Sequence, residues 1–241
     1  ANALYTHKVR SIRINLRGCG SSKGYSKKLY HPDCSDDIWK ALMEIKRDTP
    51  DSKLTLIGYS LGGNVLLKMA GEREGDVKDL VDKLIVVSPS IDMCSSVKKL
   101  SENLFYERFF LKHLKKHVYD MHSSRDDLPP IVIPSKMNLV EFNEFYIAPQ
   151  AGYFSAHDYY YAASSGRLIL NVEVKTYILF AKDDPIVDCF SISSIPLPKN
   201  INVLISDQGG HLGYIGSLDQ KGGPFWMDSI VLNWVFNDKN L

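Results

Sequence analysis

The sequence predicts an α/β fold with a mainly parallel sheet and helices on both faces, and three observations lead to this prediction. Short apolar runs alternate with segments of helical period along most of the 241 residues, which favours parallel strands joined by crossover helices. The run at 81–90 is almost wholly apolar, as a strand covered on both faces should be. The length and the 44% hydrophobic composition suffice for one large domain with a buried core.

The elements follow each other in a regular order. The first predicted strand, 9–16, leads into a glycine- and serine-rich loop and then a helix whose start carries Asp36 and Asp37, where carboxylates suit the positive helix end. The other strands are predicted at 53–59, 81–90, 174–181 and 201–206, and the other helices at 61–73 and 224–237.

Residues 92–165 interrupt this alternation and are expected to form a mostly helical cap insertion, which leaves 1–91 and 166–241 as the core. The prolines of LPPIVIP exclude a long regular element at that point. Apolar residues at helical spacing predict an amphipathic helix over 97–118 with lysines between them. Packing of its apolar side on the core is the simpler interpretation, and contact with acyl chains or a lipid surface is the alternative. The aromatic residues between Phe142 and Tyr161 are expected to line or roof a cleft.

The stretch GYSLG places Ser60 between a predicted strand and a predicted helix. It matches G-x-S-x-G, in which a strained turn projects the serine oxygen from the end of the sheet. Glycines on either side, Gly58 and Gly62, are expected to let the strand and the helix approach closely. The N–H of Leu61, at the helix N-terminus, is the expected donor to an oxyanion.

A serine hydroxyl needs a base and an orienting acid, and loops after the last two predicted strands supply both residue types. His211 lies in GGHLG, where flanking glycines leave its ring room to reach across the sheet end. Asp184, just before Pro185, is the expected acid. Asp183 is the rival, and Asp92 is a weaker alternative.

The remaining histidines carry weaker signals. His113 and His117 are four residues apart, as in some metal sites, but their neighbours are lysines, which favours a solvated helix face. His31 lies in a loop that could approach the site, and packing is the simpler interpretation for it.

Composition and charge limit the classes of molecule that the chain is expected to bind. A net charge of +1 gives no global electrostatic case for nucleic acid, and no apolar run is long enough to span a bilayer. Four scattered cysteines without a CxxC pair argue against a zinc site or a disulfide framework and indicate a reducing, cytoplasmic compartment. We expect no metal or organic cofactor, and a small-molecule ester or lipid as the partner.

Six motifs occur along the chain in a fixed order: NLRGCGSS, YH followed by DD, GYSLGGN, YYYAASS, AKDDPIV and GGHLGY. In these motifs the sequence resembles the YheT-like branch of the α/β-hydrolase superfamily, along nearly its whole length. The resemblance implies an α/β-hydrolase fold, a triad of Ser60, Asp184 and His211, and hydrolysis of a carboxylic ester through an acyl-enzyme.

One departure from that family concerns the N-terminal region. The family begins with further strands and a His-Gly loop that supplies a second oxyanion N–H, and both are expected to be missing here. The absent strand would lie between the segments at 9–16 and 53–59. We therefore expect either a partial version of a longer protein or another segment that fills the gap, and reduced activity if nothing replaces the second oxyanion donor. An acyltransferase with the same triad and a catalytically silent fold are the alternative functions.

Overall fold

The centre of the molecule is a parallel β-sheet. The structure is a computed structural model and describes residues 2–219 and 223–237. Within these residues the sheet has four strands, in the order β1-β2-β3-β4. The strands are Thr55–Tyr59 (β1), Lys83–Val87 (β2), Thr176–Ala181 (β3) and Ile201–Ser206 (β4). β2 and β3 are buried along their whole length, which explains their continuous apolar sequence.

Helices connect the strands. They are α1 (Asn2–Thr6), α2 (Ser35–Asp48), α3 (Leu61–Arg73), α4 (Gly75–Leu80), α5 (Met93–Glu102), α6 (Leu104–Ser123), α7 (Leu139–Phe142), α8 (Ala148–Ala151), α9 (Ala156–Ala163) and α10 (Trp226–Asn237). A π-helical turn, Asn143–Ile147, joins α7 to α8. Of the helices in the described part of the chain, none has the length and apolar character needed to cross a bilayer.

The two faces of the sheet bury alternate residues of each strand, as the two-residue period of a strand requires. Val86 and Phe180 pack with α2 and α3 on one face. Val87 and Leu179 pack with α10 on the other, where the indole of Trp234 is fully buried. Helices therefore cover both faces of a parallel sheet, as the sequence predicts.

The segment between β2 and β3 is largely helical, from α5 to α9, and has an apolar cluster of its own. That cluster buries Phe142, Tyr146, Tyr159 and Tyr160, each at most 5% exposed. The expectation that the aromatic residues of 142–161 line a cleft is therefore wrong for these four, because they fill the interior of the helical segment.

The predicted strand at 9–16 is absent from the structure, where these residues form irregular chain. Ile12 and Ile14 are 49% and 43% exposed, so the segment buries little apolar surface. A strand is stabilised by its neighbour, and in the described residues β1 pairs only with β2 and forms the edge of the sheet. Alternation of residue types predicts a strand, but no strand within 2–219 and 223–237 lies beside the segment.

The register of the sheet brings the ends of the strands together. Tyr59, the last residue of β1, pairs with Val87, the last residue of β2, and Val87 pairs with Leu179 of β3. The chain therefore leaves β1 and β2 at the same edge of the sheet. Ligands of open parallel sheets bind outside this carboxyl edge.

Candidate active site

Ser60 occupies a tight turn between β1 and α3. Its backbone has φ 49° and ψ −122°, a conformation that residues with a side chain rarely adopt. The turn is held because the Ser60 N–H donates to the Val87 carbonyl (2.8 Å) and the Ser60 carbonyl accepts from Gly63 N–H (2.9 Å). The hydroxyl therefore projects from the carboxyl edge of the sheet at the start of a helix.

The glycines around Ser60 differ in how closely other atoms approach them. A Cβ on Gly58 would lie 2.7 Å from the Gly62 carbonyl oxygen and 2.8 Å from Gly63 Cα, so strand and helix meet there. A Cβ on Gly62 would meet nothing within 4 Å, whereas one on Gly63 would lie 3.1 Å from Pro89 Cβ. The expectation that Gly62 permits the close approach is wrong, because Gly63 is the residue that faces β2 and the segment after it.

His211 contacts Ser60 on one side and Asp184 on the other. Its Nε2 lies 2.7 Å from Ser60 Oγ, and its Nδ1 lies 2.8 Å from Asp184 Oδ2. Because an ionised carboxylate only accepts, Nδ1 carries the proton and Nε2 accepts from the serine hydroxyl. The His211 side chain is 16% exposed and that of Asp184 only 1%, so the imidazole is reachable from solvent while the acid is enclosed.

Backbone N–H groups hold Asp184 in this position. Its second oxygen, Oδ1, accepts from Ile186 N–H (2.8 Å) and Val187 N–H (2.9 Å), which compensates the burial of the carboxylate. The rival acid, Asp183, accepts instead from Gly210 N–H (2.8 Å) and so fastens the loop that carries His211. Asp92 caps α5 by accepting from Ser95 N–H (3.1 Å).

Two residues that the sequence analysis missed support the His211 loop. Ser88 follows β2, and its hydroxyl donates to the His211 carbonyl (2.6 Å). With its only hydrogen engaged, Ser88 Oγ accepts from the Tyr214 hydroxyl (2.9 Å). Burial raises the pKa of Tyr214 above its usual value, so that hydroxyl stays protonated and remains a donor. In the sequence Ser88 lies inside the predicted strand at 81–90 and Tyr214 lies at the end of GGHLGY, and neither position indicates the contact between them.

The expected oxyanion donor, Leu61, is the first residue of α3. N–H groups in the first turn of a helix have no partner within the helix, and together they place a partial positive charge at the helix N-terminus. The Leu61 N–H is thus free of intrahelical hydrogen bonds and adjacent to Ser60 in the chain.

Two polar side chains of α3 form hydrogen bonds and ion pairs with residues of the surrounding segments. The fully buried Asn64 donates through Nδ2 to the Ala163 carbonyl (2.8 Å) and accepts through Oδ1 from Ser165 N–H (3.0 Å). Lys68, 2% exposed, pairs with Asp33 at 3.0 Å and with Glu72. The hydroxyl of Tyr153 donates to the same Asp33. These contacts join α3 to the loop before α2 and to the helical segment.

The other histidines that the sequence analysis singled out have structural contacts. His113 donates to the Phe109 carbonyl and His117 to the Gly18 carbonyl, at 2.7 and 2.8 Å. Among the described residues, no group of three or more His, Cys, Asp and Glu side chains is arranged to hold a metal ion. Burial lowers the pKa of His31 to about 4, so its ring is neutral at pH 7 and packs against Tyr159.

Comparisons with known proteins agree with this architecture. The family model for the alpha/beta hydrolase fold matches residues 1–123. The chain is 27% identical over 230 residues to YheT of Escherichia coli (strain K12), described as an esterase by prediction; the match covers 93% of this chain and 67% of that protein. It is 30% identical over 232 residues to the medium-chain fatty acid ethyl ester synthase/esterase 2 of Saccharomyces cerevisiae (strain ATCC 204508 / S288c). That match covers 85% of this chain and 51% of the yeast protein, so the chain spans between half and two thirds of these relatives.

A solved structure shows the same fold. The alpha/beta fold family hydrolase from Bacillus anthracis str. Sterne superposes with a TM-score of 0.52 at 17% identity. The superposition covers 93% of this chain and 80% of the hydrolase. At this level of identity the likeness concerns the fold alone.

Proposed function

The chain belongs to the α/β-hydrolase superfamily, in its YheT-like branch, and on this basis we propose that it is a serine hydrolase that cleaves carboxylic esters. The observation that carries the proposal is the continuous pair of contacts from Ser60 Oγ through His211 to Asp184, at 2.7 and 2.8 Å. A serine, an imidazole and a carboxylate in this order are recognised as a triad by geometry and not by position in the sequence.

The first half of the proposed reaction forms an acyl-enzyme. Ser60 Oγ attacks the ester carbonyl carbon while His211 Nε2 takes the hydroxyl proton. Asp184 keeps the proton on Nδ1 and stabilises the imidazolium. The carbonyl oxygen becomes an oxyanion, which the Leu61 N–H stabilises. The intermediate then collapses: the bond to the alcohol breaks, and His211 returns the proton to the departing alcohol.

The second half releases the acid. A water molecule loses a proton to His211 and attacks the acyl carbon, and the proton then returns to Ser60 as the bond to the serine oxygen breaks. All of these transfers use side chains and backbone groups of the chain. No step of the proposed reaction requires a metal ion or an organic cofactor.

The substrate class is the second part of the proposal. We infer that the chain acts on short- to medium-chain acyl or lipid esters, with 1–91 and 166–241 as the catalytic core and 92–165 as a helical cap. The name of the yeast relative, which refers to medium-chain fatty acid ethyl esters, supports this class. Two contacts between core and cap support a cap fixed beside the site: Asn64 of α3 donates to the Ala163 carbonyl, and the Tyr153 hydroxyl donates to Asp33.

Acyl transfer to an alcohol is the second candidate function. The yeast relative is named both a synthase and an esterase of ethyl esters, and the two reactions share the acyl-enzyme. An alcohol that replaces water in the second half would yield a new ester. Product analysis with added ethanol separates the two outcomes, because transfer gives an ethyl ester and hydrolysis gives the free acid.

The direct test is hydrolysis of a series of p-nitrophenyl esters of increasing chain length. We expect turnover by the parent chain, and a loss of at least about 10³-fold in kcat for Ser60→Ala. The matched control is Ser194→Ala, a change at an exposed serine that bonds only locally to Ser191. Equal rates for the parent and Ser60→Ala would refute the proposal.

A further inference from the structure

The outer surface of α6 carries a concentration of positive charge that the proposed reaction does not use. A groove of about 720 Å³ runs between α6 and the chain before α7. The charged side chains that line it are all cations: Arg108, Lys112, Lys115, Lys116 and Lys136.

Most of this charge is not neutralised within the protein. Arg108, Lys112 and Lys136 are exposed, and none of them forms an ion pair in the described part of the chain. Lys116 pairs with Asp120, and Lys115 donates to the Pro134 carbonyl (2.9 Å).

The acid nearest to these cations along the helix does not offset them at the surface. Glu107 is buried, and its carboxylate accepts from Leu139 N–H at 3.1 Å. The groove therefore presents a net positive potential to whatever lies outside it.

Large apolar side chains stand beside these cations. Leu104, Phe105 and Phe109, in the first two turns of α6, are 61%, 74% and 51% exposed. Phe105, Phe109, Lys112 and Lys116 follow each other at spacings of four, three and four residues, which places them along one side of the helix.

Core packing does not account for this face. The residues of α6 that pack inward are others, with Leu111, Val118 and Met121 buried in the apolar cluster of the helical segment. Exposed aromatic groups next to cations are thus a property of the outer surface of the helix.

We propose that this face, defined as Leu104, Phe105, Arg108, Phe109, Lys112 and Lys136, docks the chain onto a membrane surface that contains anionic lipid. Lysine and arginine are attracted to anionic headgroups, and phenylalanine and leucine insert at the boundary between headgroups and acyl chains. A small soluble anion would engage the cations but leave both phenylalanines in water. A lipid surface uses both halves of the face, and it is independent of the chemistry at Ser60.

The test is co-sedimentation of the full chain, carrying Ser60→Ala so that lipid hydrolysis cannot interfere, with vesicles of two compositions. One is phosphatidylcholine alone, and the other contains about 30 mol% phosphatidylserine. We expect binding to the anionic vesicles to be at least about tenfold stronger, and to weaken when the salt is raised from about 0.1 to about 0.5 M.

Two variants and their controls assign the binding to this face. Arg108→Glu/Lys112→Glu/Lys136→Glu should lower binding at least about tenfold. Its control, Lys40→Glu/Lys53→Glu/Lys199→Glu, has the same net charge but changes exposed lysines elsewhere. Phe105→Ala/Phe109→Ala should also weaken binding, whereas Phe154→Ala/Phe190→Ala, at other exposed positions, should not.

Three outcomes would overturn the proposal. The first is a parent chain that binds neither type of vesicle. The second is an equal loss in the variant and the control triples, which would indicate net charge without a specific surface. The third is a chain that ignores vesicles but binds inorganic pyrophosphate through Arg108, Lys112 and Lys136, which would assign the groove to a soluble anion. Ester hydrolysis, measured separately with Ser60 intact, decides the proposed function independently.

Discussion

Three residues at the carboxyl edge of the sheet adopt a left-handed backbone conformation although they carry side chains. Ser60, Ser88 and Tyr214 have φ of 49°, 46° and 41°, and only two other non-glycine residues in the described chain have positive φ. Each such conformation costs about 1–3 kcal/mol unless neighbouring contacts enforce it. Here hydrogen bonds supply those contacts, because Ser60 N–H donates to Val87, Ser88 N–H to Leu179 and Tyr214 N–H to Gly209.

The hydroxyl of Ser88 stabilises the loop that carries His211. Replacing Ser88 with alanine leaves the His211 carbonyl and the Tyr214 hydroxyl without their partner. We expect Ser88→Ala to lower the free energy of unfolding by about 1–3 kcal/mol and to reduce kcat, because the His211 loop loses a support. Tyr214→Phe should cost about 1 kcal/mol, since the bond from Ser88 to the loop remains.

Urea unfolding and ester hydrolysis measure both effects. Ser191→Ala serves as the control, because it removes one hydroxyl that bonds to the Asp188 carbonyl in a different loop. A Ser88→Ala variant with the stability and kcat of the parent would show that this hydroxyl does not position His211.

At the scale of elements, the strand, turn and helix around Ser60 determine where the hydroxyl lies. β1 ends at Tyr59 and α3 begins at Leu61, so a single residue makes the turn. Such a sharp connection requires that strand and helix touch, and they do so at Gly58 and Gly63. Gly62, by contrast, faces open space.

The two glycines of the G-x-S-x-G motif should therefore respond differently to alanine. Gly58→Ala forces a methyl group against backbone atoms of Gly62 and Gly63, and we expect a loss of about 2–3 kcal/mol or more in the free energy of unfolding. Gly62→Ala should leave stability unchanged or raise it by up to about 1 kcal/mol, because alanine favours a helix. Chemical unfolding of the two variants decides the matter, and comparable losses would contradict the assignment of the contact to Gly58.

The sequence predicts well those elements whose ends are marked by nearby residues. The helix at 61–73 and the strand at 201–206 have the predicted bounds, because glycines, apolar runs and turn residues mark their ends. The strand at 9–16 was predicted wrongly, because its alternating pattern says nothing about whether a neighbouring strand exists. Ser88 and Tyr214 were missed because their contact joins positions 126 residues apart, and no local pattern encodes it.

At the scale of the whole molecule, α3 is the element that connects the sheet, the loop before α2 and the helical segment. Its Lys68 is enclosed, with 3% of the side chain exposed, and it lies between Asp33 and Glu72. Removing an enclosed cation leaves the carboxylates uncompensated, whereas an exposed pair contributes little.

A pair of substitutions tests this link. Lys68→Met should lower the free energy of unfolding by about 2–4 kcal/mol, less than for a fully enclosed pair because Asp33 and Glu72 are 20% and 33% exposed. Lys78→Met, at the exposed pair with Glu173, should cost at most about 1 kcal/mol. Thermal or urea unfolding gives both free energies. Equal losses of unfolding free energy would mean that the Lys68 contacts do not hold α3 to the loop before α2.

The proposed function requires that Ser60 be a nucleophile activated by His211, and reaction with a fluorophosphonate probe tests this requirement. We expect one phosphonate adduct per chain, located at Ser60 and absent from Ser60→Ala. We also expect His211→Ala to slow labelling by at least about 10³-fold, and Ser194→Ala to be labelled at the rate of the parent. A folded parent chain that is not labelled, or an adduct at a serine other than Ser60, would contradict the proposed function.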